Sequence, residues 1–100
     1  MTLIYITCKG KAEAKKIASY LLKKKLIACA NFFPINSMYW WKNKIVDDKE
    51  FLLLAKTAKK NCSKVRKEVK KLHSYEIPCI LEIDVDGNKE FIDWVDRVTM

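Results

Sequence analysis

The sequence Ser37-Met-Tyr-Trp-Trp-Lys-Asn-Lys44 decides the expected fold, because it joins two long runs of strand-forming residues. The first run extends from Ala28 to Trp41. The second is Glu50-Phe-Leu-Leu-Leu-Ala-Lys56, which follows a polar patch at Asp47-Asp48-Lys49. Two apolar, β-favouring runs around a short polar connection predict a β-hairpin. Asn43 suits its turn, because asparagine tolerates the left-handed backbone that such turns often require.

The remaining elements follow from the spacing of apolar residues. Leu3 to Thr7 is a nearly continuous apolar run, typical of a central strand. Apolar residues three and four apart predict one helix from Lys11 to Lys25 and a second from Asn61 or Ser63 to about His73. Alternation from Cys79 to Val85 predicts a strand whose buried face carries Cys79, Leu81, Ile83 and Val85. Phe91 to Val98 is expected to form a short closing helix.

The order β-α-β-β-α-β with a terminal helix predicts an α+β fold, a ferredoxin-like sandwich with an antiparallel sheet, as one domain over residues 1–100. Two helices would cover one face of this sheet. The first and third strands, however, are apolar on both faces, so we expect a closed homo-oligomer to bury the second face. We also expect hairpin arms too long to pair within one subunit, and a bulge or bend at Pro34.

Composition limits the class of protein. The net charge of +8 suggests nucleic acid as a partner, but the lysines fall mainly in the two helical segments, where a solvated face needs charge. The four cysteines form no C-x-x-C pair, so the sequence does not support a zinc ribbon or thioredoxin-like motif. No secretion signal or membrane-spanning run is evident, so we predict a cytoplasmic protein with free thiols and no membrane partner.

Five motifs in order give the chain a specific resemblance. Leu26-Ile-Ala-Cys-Ala-Asn31, Ser37 to Lys44, Leu54-Ala-Lys-Thr57, His73-Ser-Tyr-Glu-Ile-Pro78 and Phe91-Ile-Asp-Trp94 resemble the CutA family of divalent-cation tolerance proteins. The resemblance spans essentially the whole chain. It implies a homotrimer similar in architecture to the nitrogen-regulatory PII proteins, no enzymatic activity and no obligatory cofactor. It also implies copper or another divalent metal ion as the ligand.

The resemblance places the expected metal ligands in the connector after the second helix. His73 is the only histidine, and the predicted ligands are His73, Glu76 and Cys79. Imidazole with thiolate favours Cu(I) or Zn(II). Relatives have proline where this chain has Ser74, and a carboxylate where it has Cys79. The alternatives are a histidine that donates to nearby carbonyl groups and a cysteine that is simply buried.

A cleft between subunits is the second predicted site. Its predicted lining residues are Cys29, Asn31, Tyr39, Trp40, Trp41, Lys56 and Tyr75. The aromatic side chains are expected mainly to fill the seam between subunits, and a small ligand in the cleft is the alternative.

The residues argue against two other functions and leave a third open. A catalytic Cys-His pair lacks an orienting residue and a nucleophile motif. An RNA-recognition module shares the element order, but its third strand needs exposed aromatic residues, and here that strand is Phe51-Leu-Leu-Leu54. An assembly module, or a PII-like sensor of a small ligand without physiological metal, stays an alternative to metal binding.

Overall fold

The computed structural model describes residues 1–100. The elements are β1 (Thr2–Cys8), α1 (Lys11–Lys23), β2 (Cys29–Trp41), β3 (Lys44–Thr57), α2 (Cys62–Leu72), β4 (Ile80–Asp84) and α3 (Lys89–Val98), with a 3₁₀ turn at Lys59–Asn61. The four strands form one sheet in the order β2-β3-β1-β4, and every neighbouring pair is antiparallel. The ferredoxin-like α+β fold with an added C-terminal helix is therefore confirmed.

The core lies between one face of the sheet and helices α1 and α2. β1 contributes Ile4 and Ile6 to it, and the periodic apolar residues of α1 and α2 pack against them. Several of these side chains have no exposed area, namely Ile4, Ile6, Ile17, Leu21, Leu53, Val65 and Val69. Fully burying each aliphatic side chain contributes about 1.5–3 kcal/mol, so this layer is a large source of stability for the subunit.

The second face of the sheet is only partly covered within the subunit. The C-terminal helix α3 packs against β3 and buries Val95, and the Phe91 ring lies 5.6 Å from the Lys56 ammonium. Farther along this face, Leu81 and Ile83 of β4 are 51% and 42% exposed. Their neighbours across the ladder are Tyr5 and Leu3 of β1. A continuous apolar surface therefore remains open.

The prediction that Leu81 and Ile83 form the buried face of β4 is wrong for the isolated subunit. Ile80 pairs with Ile6 and packs against the core, so Leu81 and Ile83, which alternate with it, lie on the other face. Alternation reveals that two faces exist, but the register with β1 decides which one meets the helices.

The β2–β3 hairpin corrects three further expectations. Its arms pair completely within one subunit, from Cys29–Lys56 to Trp41–Lys44, so they are not too long for each other. Asp47-Asp48-Lys49 belongs to β3 rather than to a connection. Pro34 pairs with Phe51 in unbroken register, without a bulge. β2 is an edge strand, where a proline can sit without interrupting the ladder.

The end of α1 and the start of α2 differ from the prediction, and the backbone geometry explains both differences. α1 stops at Lys23 instead of Lys25, because Lys25 has a left-handed φ of 56° and the Leu26 N–H donates to the Leu21 carbonyl. This pattern is a Schellman motif, which terminates a helix. Asn61 does not cap α2 with its side chain; its amide instead donates to Thr57 Oγ1 at 3.2 Å.

The hairpin turn gives a first testable prediction. Lys42 and Asn43 have φ values of 49° and 63°, the positive angles that a type I′ turn requires at both central residues. Asn43→Val is expected to lower the free energy of unfolding by about 1–2 kcal/mol, because a β-branched residue is strained there. Asn43→Gly is the matched control and should match or exceed wild type. Chemical denaturation at fixed protein concentration measures both; equal losses would contradict the turn assignment.

Candidate functional site

His73 lies at the end of α2 and is enclosed by the protein. Its side chain has no exposed area, and Nε2 donates to the Thr7 carbonyl oxygen at 2.7 Å. Nδ1 accepts a hydrogen bond from the backbone N–H of Tyr75 at 3.1 Å. A donating Nε2 and an accepting Nδ1 identify the neutral tautomer. His73 therefore ties β1 to the connector between α2 and β4.

His73 forms a buried group with two residues that are distant in sequence. The ligand atoms of Cys8, Glu13 and His73 all lie within 4.8 Å of one another. Cys8 is the last residue of β1, Glu13 lies in the first turn of α1, and His73 follows α2. His73 Nε2 is 3.9 Å from Glu13 Oε1. We call Cys8, Glu13 and His73 the buried trio.

Hydrogen bonds hold the carboxylate of Glu13 in the trio. Oε1 accepts from the backbone N–H of Lys9 at 3.0 Å, and Oε2 accepts from that of Ser74 at 2.9 Å. Burial by itself would raise the pKa of Glu13. The hydrogen bonds from Ser74 and Lys9 outweigh it, so this pKa lies below its ordinary value. Glu13 is thus ionised although it is only 8% exposed.

The thiol of Cys8 has the opposite tendency. Burial, together with the negative charges of Glu13 and Glu50, raises the pKa of Cys8 to about 12. The group is therefore a protonated thiol at neutral pH and a poor nucleophile.

The donors of the trio suit a borderline or soft metal ion. Sulfur, imidazole nitrogen and a carboxylate oxygen are the usual ligands of zinc, and tetrahedral bond lengths place such atoms about 3–4 Å apart. Separations of up to 4.8 Å need only a small contraction to reach that spacing. A bound ion would displace the Cys8 proton, as metals do with coordinating thiols.

A separate cavity of about 930 Å³ lies between the outer half of the hairpin and the connector that precedes β4. Its lining residues are Thr7, Asn36, Ser37, Met38, Tyr39, Trp40, Trp41, Glu50, Ser74, Tyr75, Glu76, Ile77 and Cys79. The structure therefore does not gather the predicted ligands into one group: Glu76 and Cys79 line this cavity, whereas His73 belongs to the buried trio. The hydrogen bonds of the imidazole with Thr7 and Tyr75 hold His73 in the trio.

The predicted cleft also divides into two groups. Tyr39, Trp40, Trp41 and Tyr75 line the cavity. Cys29, Asn31 and Lys56 lie at the opposite end of the β2–β3 ladder. There the Lys56 ammonium donates to Asn31 Oδ1 at 2.9 Å and to Cys29 Sγ at 3.8 Å.

Glu50 is the buried acidic group of the cavity. It is 5% exposed, and its Oε2 accepts a hydrogen bond from the Tyr75 hydroxyl at 2.5 Å. Burial and this hydrogen bond to Glu50 raise the pKa of Tyr75. Burial, and secondarily the charge of Glu50, also raises the pKa of Cys79. The cavity therefore combines an acidic centre with neutral phenol and thiol groups.

Sequence reasoning missed Glu13 and Glu50, and treated Cys8 only as a free thiol. The sequence position of each carboxylate indicates that it is buried. Glu13 precedes Ile17 by four residues, which puts it on the apolar stripe of α1. Glu50 opens the aliphatic run of β3. A lone acidic residue in an apolar phase indicates a buried carboxylate with a specific partner.

Comparisons with known proteins give a consistent result. Residues 2–98 match the family described as CutA1 divalent ion tolerance protein. The divalent-cation tolerance protein CutA of Archaeoglobus fulgidus is 50% identical over 95 residues, covering 94% of this chain and 93% of that protein. A solved structure described as the periplasmic divalent cation tolerance protein CutA from the same organism has a TM-score of 0.95 at 48% identity, covering 98% of both chains.

A second solved structure extends the comparison. The PII-like protein CutA from Nostoc sp. PCC 7120 in apo form has a TM-score of 0.94 at 27% identity, covering 100% of this chain and 98% of that one. In the present chain, none of the helices has the length and hydropathy needed to span a membrane.

Proposed function

Because the chain belongs to the CutA1 family of divalent ion tolerance proteins, we propose that it binds a divalent metal ion or copper at the buried trio. The proposal includes assembly as a homotrimer in the cytoplasm and a binding role without enzymatic activity. The convergence of Cys8, Glu13 and His73 carries it, since these three side chains form the chain's group of potential metal ligands.

The chemistry of the trio favours binding over catalysis. A thiol with a pKa of about 12 is not an active nucleophile at neutral pH, but a metal ion lowers that pKa and takes the thiolate as a ligand. Glu13 is already ionised and offers a charged oxygen. Both ring nitrogens of His73 have hydrogen-bond partners, so the imidazole would have to exchange its bond to Thr7 or Tyr75 for the bond to the ion. Water or a neighbouring subunit would complete the coordination.

The open sheet face supports the trimer. Leu81 and Ile83 of β4, together with Phe33 at 43% exposure on β2, leave apolar surface on the side away from α1 and α2. Contact with other copies of the chain would remove this surface from water, and closed symmetry would use the same face on every subunit.

Zinc titration by calorimetry tests the metal site. Cys8→Ser is expected to weaken Zn²⁺ binding at least about tenfold, because it removes the softest ligand. Cys62→Ser is the matched control: Cys62 is also buried, but it lies outside the trio and should leave the affinity unchanged. An unchanged affinity in Cys8→Ser, with a loss in Cys79→Ser, would instead assign the ion to His73, Glu76 and Cys79.

A further inference from the structure

The charge of the cavity is opposite to that of the protein. The chain has 20 lysine and arginine residues, yet none of them is among the 13 residues that line the cavity. The charged lining residues are Glu50 and Glu76. A concave surface with charges of one sign focuses the electrostatic potential, so this cavity favours cations within a basic protein.

Glu50 supplies a specific attachment point. One carboxylate oxygen accepts from Tyr75, and the other has no hydrogen-bond partner in the chain and is not fully sealed from solvent. No lysine, arginine or histidine forms an ion pair with it. A buried carboxylate without a cation is unfavourable, and a charged donor that enters the cavity would offset that cost.

The aromatic walls select the kind of cation. Tyr39, Trp40 and Trp41 belong to β2 and, with Met38, form the hairpin wall of the cavity. Trp40 and Met38 are 72% and 71% exposed, so their apolar surfaces are available for contact. Indole faces attract ammonium groups through the ring quadrupole, and the thioether of methionine adapts to alkyl chains.

We propose that this cavity binds a small organic cation, with its ammonium group at Glu50 and its carbon skeleton against the hairpin aromatics. The size agrees with this class, because about 930 Å³ is the volume of a small-molecule site rather than of a single ion. The cavity adjoins the buried trio through Thr7 and Ser74, but the two sites share no ligand residue.

Butylammonium is the probe, and 1-butanol is its uncharged counterpart. Calorimetry and tryptophan fluorescence should detect saturable butylammonium binding to the assembled wild-type protein, and 1-butanol should bind at least about tenfold more weakly. Glu50→Gln is expected to weaken butylammonium binding by roughly tenfold to a hundredfold, the effect of losing one charge-assisted hydrogen bond. Glu90→Gln changes an exposed carboxylate outside the cavity and should bind like wild type.

Trp40→Leu gives a test that does not alter a buried group. Because Trp40 is exposed, its replacement should not impair folding. The variant should bind butylammonium several-fold more weakly, because one cation–π contact is lost. Equal affinities for butylammonium and 1-butanol, undiminished binding in Glu50→Gln, or no binding to the assembled protein would each overturn the proposal. Cys8→Ser should retain butylammonium binding, which separates this proposal from the metal site.

Discussion

Ile83→Glu is expected to convert the assembled protein into folded monomers. Ile83 is 42% exposed on the open sheet face and pairs with Leu3 in the β1–β4 ladder. In the proposed trimer this face is covered, so the variant would place one carboxylate per subunit in an apolar interface. An uncompensated buried charge costs several kcal/mol, and closed symmetry multiplies that cost by the number of subunits.

Sedimentation velocity over a range of protein concentrations measures the result. Leu22→Glu is the matched control, since Leu22 is also 42% exposed but lies on α1, in the helical layer on the other side of the sheet. This variant should keep the mass of the assembled wild type. A wild-type protein that sediments as a monomer when dilute, or an Ile83→Glu variant that stays assembled, would contradict the use of this face.

The order of elements was predictable because each one carries a local signal. The helical periodicity in α1 and α2, and the strand–turn–strand pattern around Asn43, depend only on neighbours within a few residues. The buried face of β4 was not predictable in this way. Cys79, Leu81 and Ile83 alternate regularly, but the pairing of Ile80 with Ile6 decides their side, and that register is a long-range property.

The predicted cleft lies between subunits, so a single subunit shows only where its residues stand. Cys29 and Trp41 both belong to the predicted cleft, but they stand at opposite ends of a ladder of 13 residue pairs. At about 3.4 Å per residue such a ladder is roughly 40 Å long. The subunit measures 44 Å along its longest axis, so the hairpin spans nearly the whole molecule. A cleft that draws on both ends of the hairpin would therefore need residues from more than one subunit.

The buried trio depends on convergence that no local pattern encodes. Cys8 and Glu13 are five residues apart, but His73 comes from the far side of the sequence and is brought in by the packing of α1, α2 and β1. The sequence alone shows only that Glu13 falls on the apolar stripe of α1. The partners that make its burial favourable, the backbone N–H groups of Lys9 and Ser74, become visible in the fold.

Glu13→Gln is expected to lower the free energy of unfolding by about 2–3 kcal/mol at neutral pH. Hydrogen bonds to a charged acceptor each contribute about 1.5–3 kcal/mol, and the carboxylate of Glu13 accepts two. An amide can accept from only one of the two N–H groups, because its NH₂ group faces the other donor. The start of α1 and the connector after His73 would both lose an anchor.

The effect of this substitution should depend on pH with a definite sign. The pKa of Glu13 is lower in the folded protein than its ordinary value of about 4.3. The contribution of the carboxylate is therefore fully present above about pH 5, and it is lost as the pH falls through the folded-state pKa. The difference between wild type and Glu13→Gln should be constant near neutrality and should shrink in acid.

Urea unfolding of the metal-free protein at several pH values, with the subunit concentration held fixed, measures this difference. Glu90→Gln, at an exposed position in the first turn of α3, is the control and should change stability by less than about 0.5 kcal/mol at every pH. If the gap between wild type and Glu13→Gln widened in acid, the pKa of Glu13 would have to be raised in the folded state. That result would replace a hydrogen-bonded anion with a desolvated neutral acid, and Glu13 would no longer provide a charged oxygen ligand for the trio.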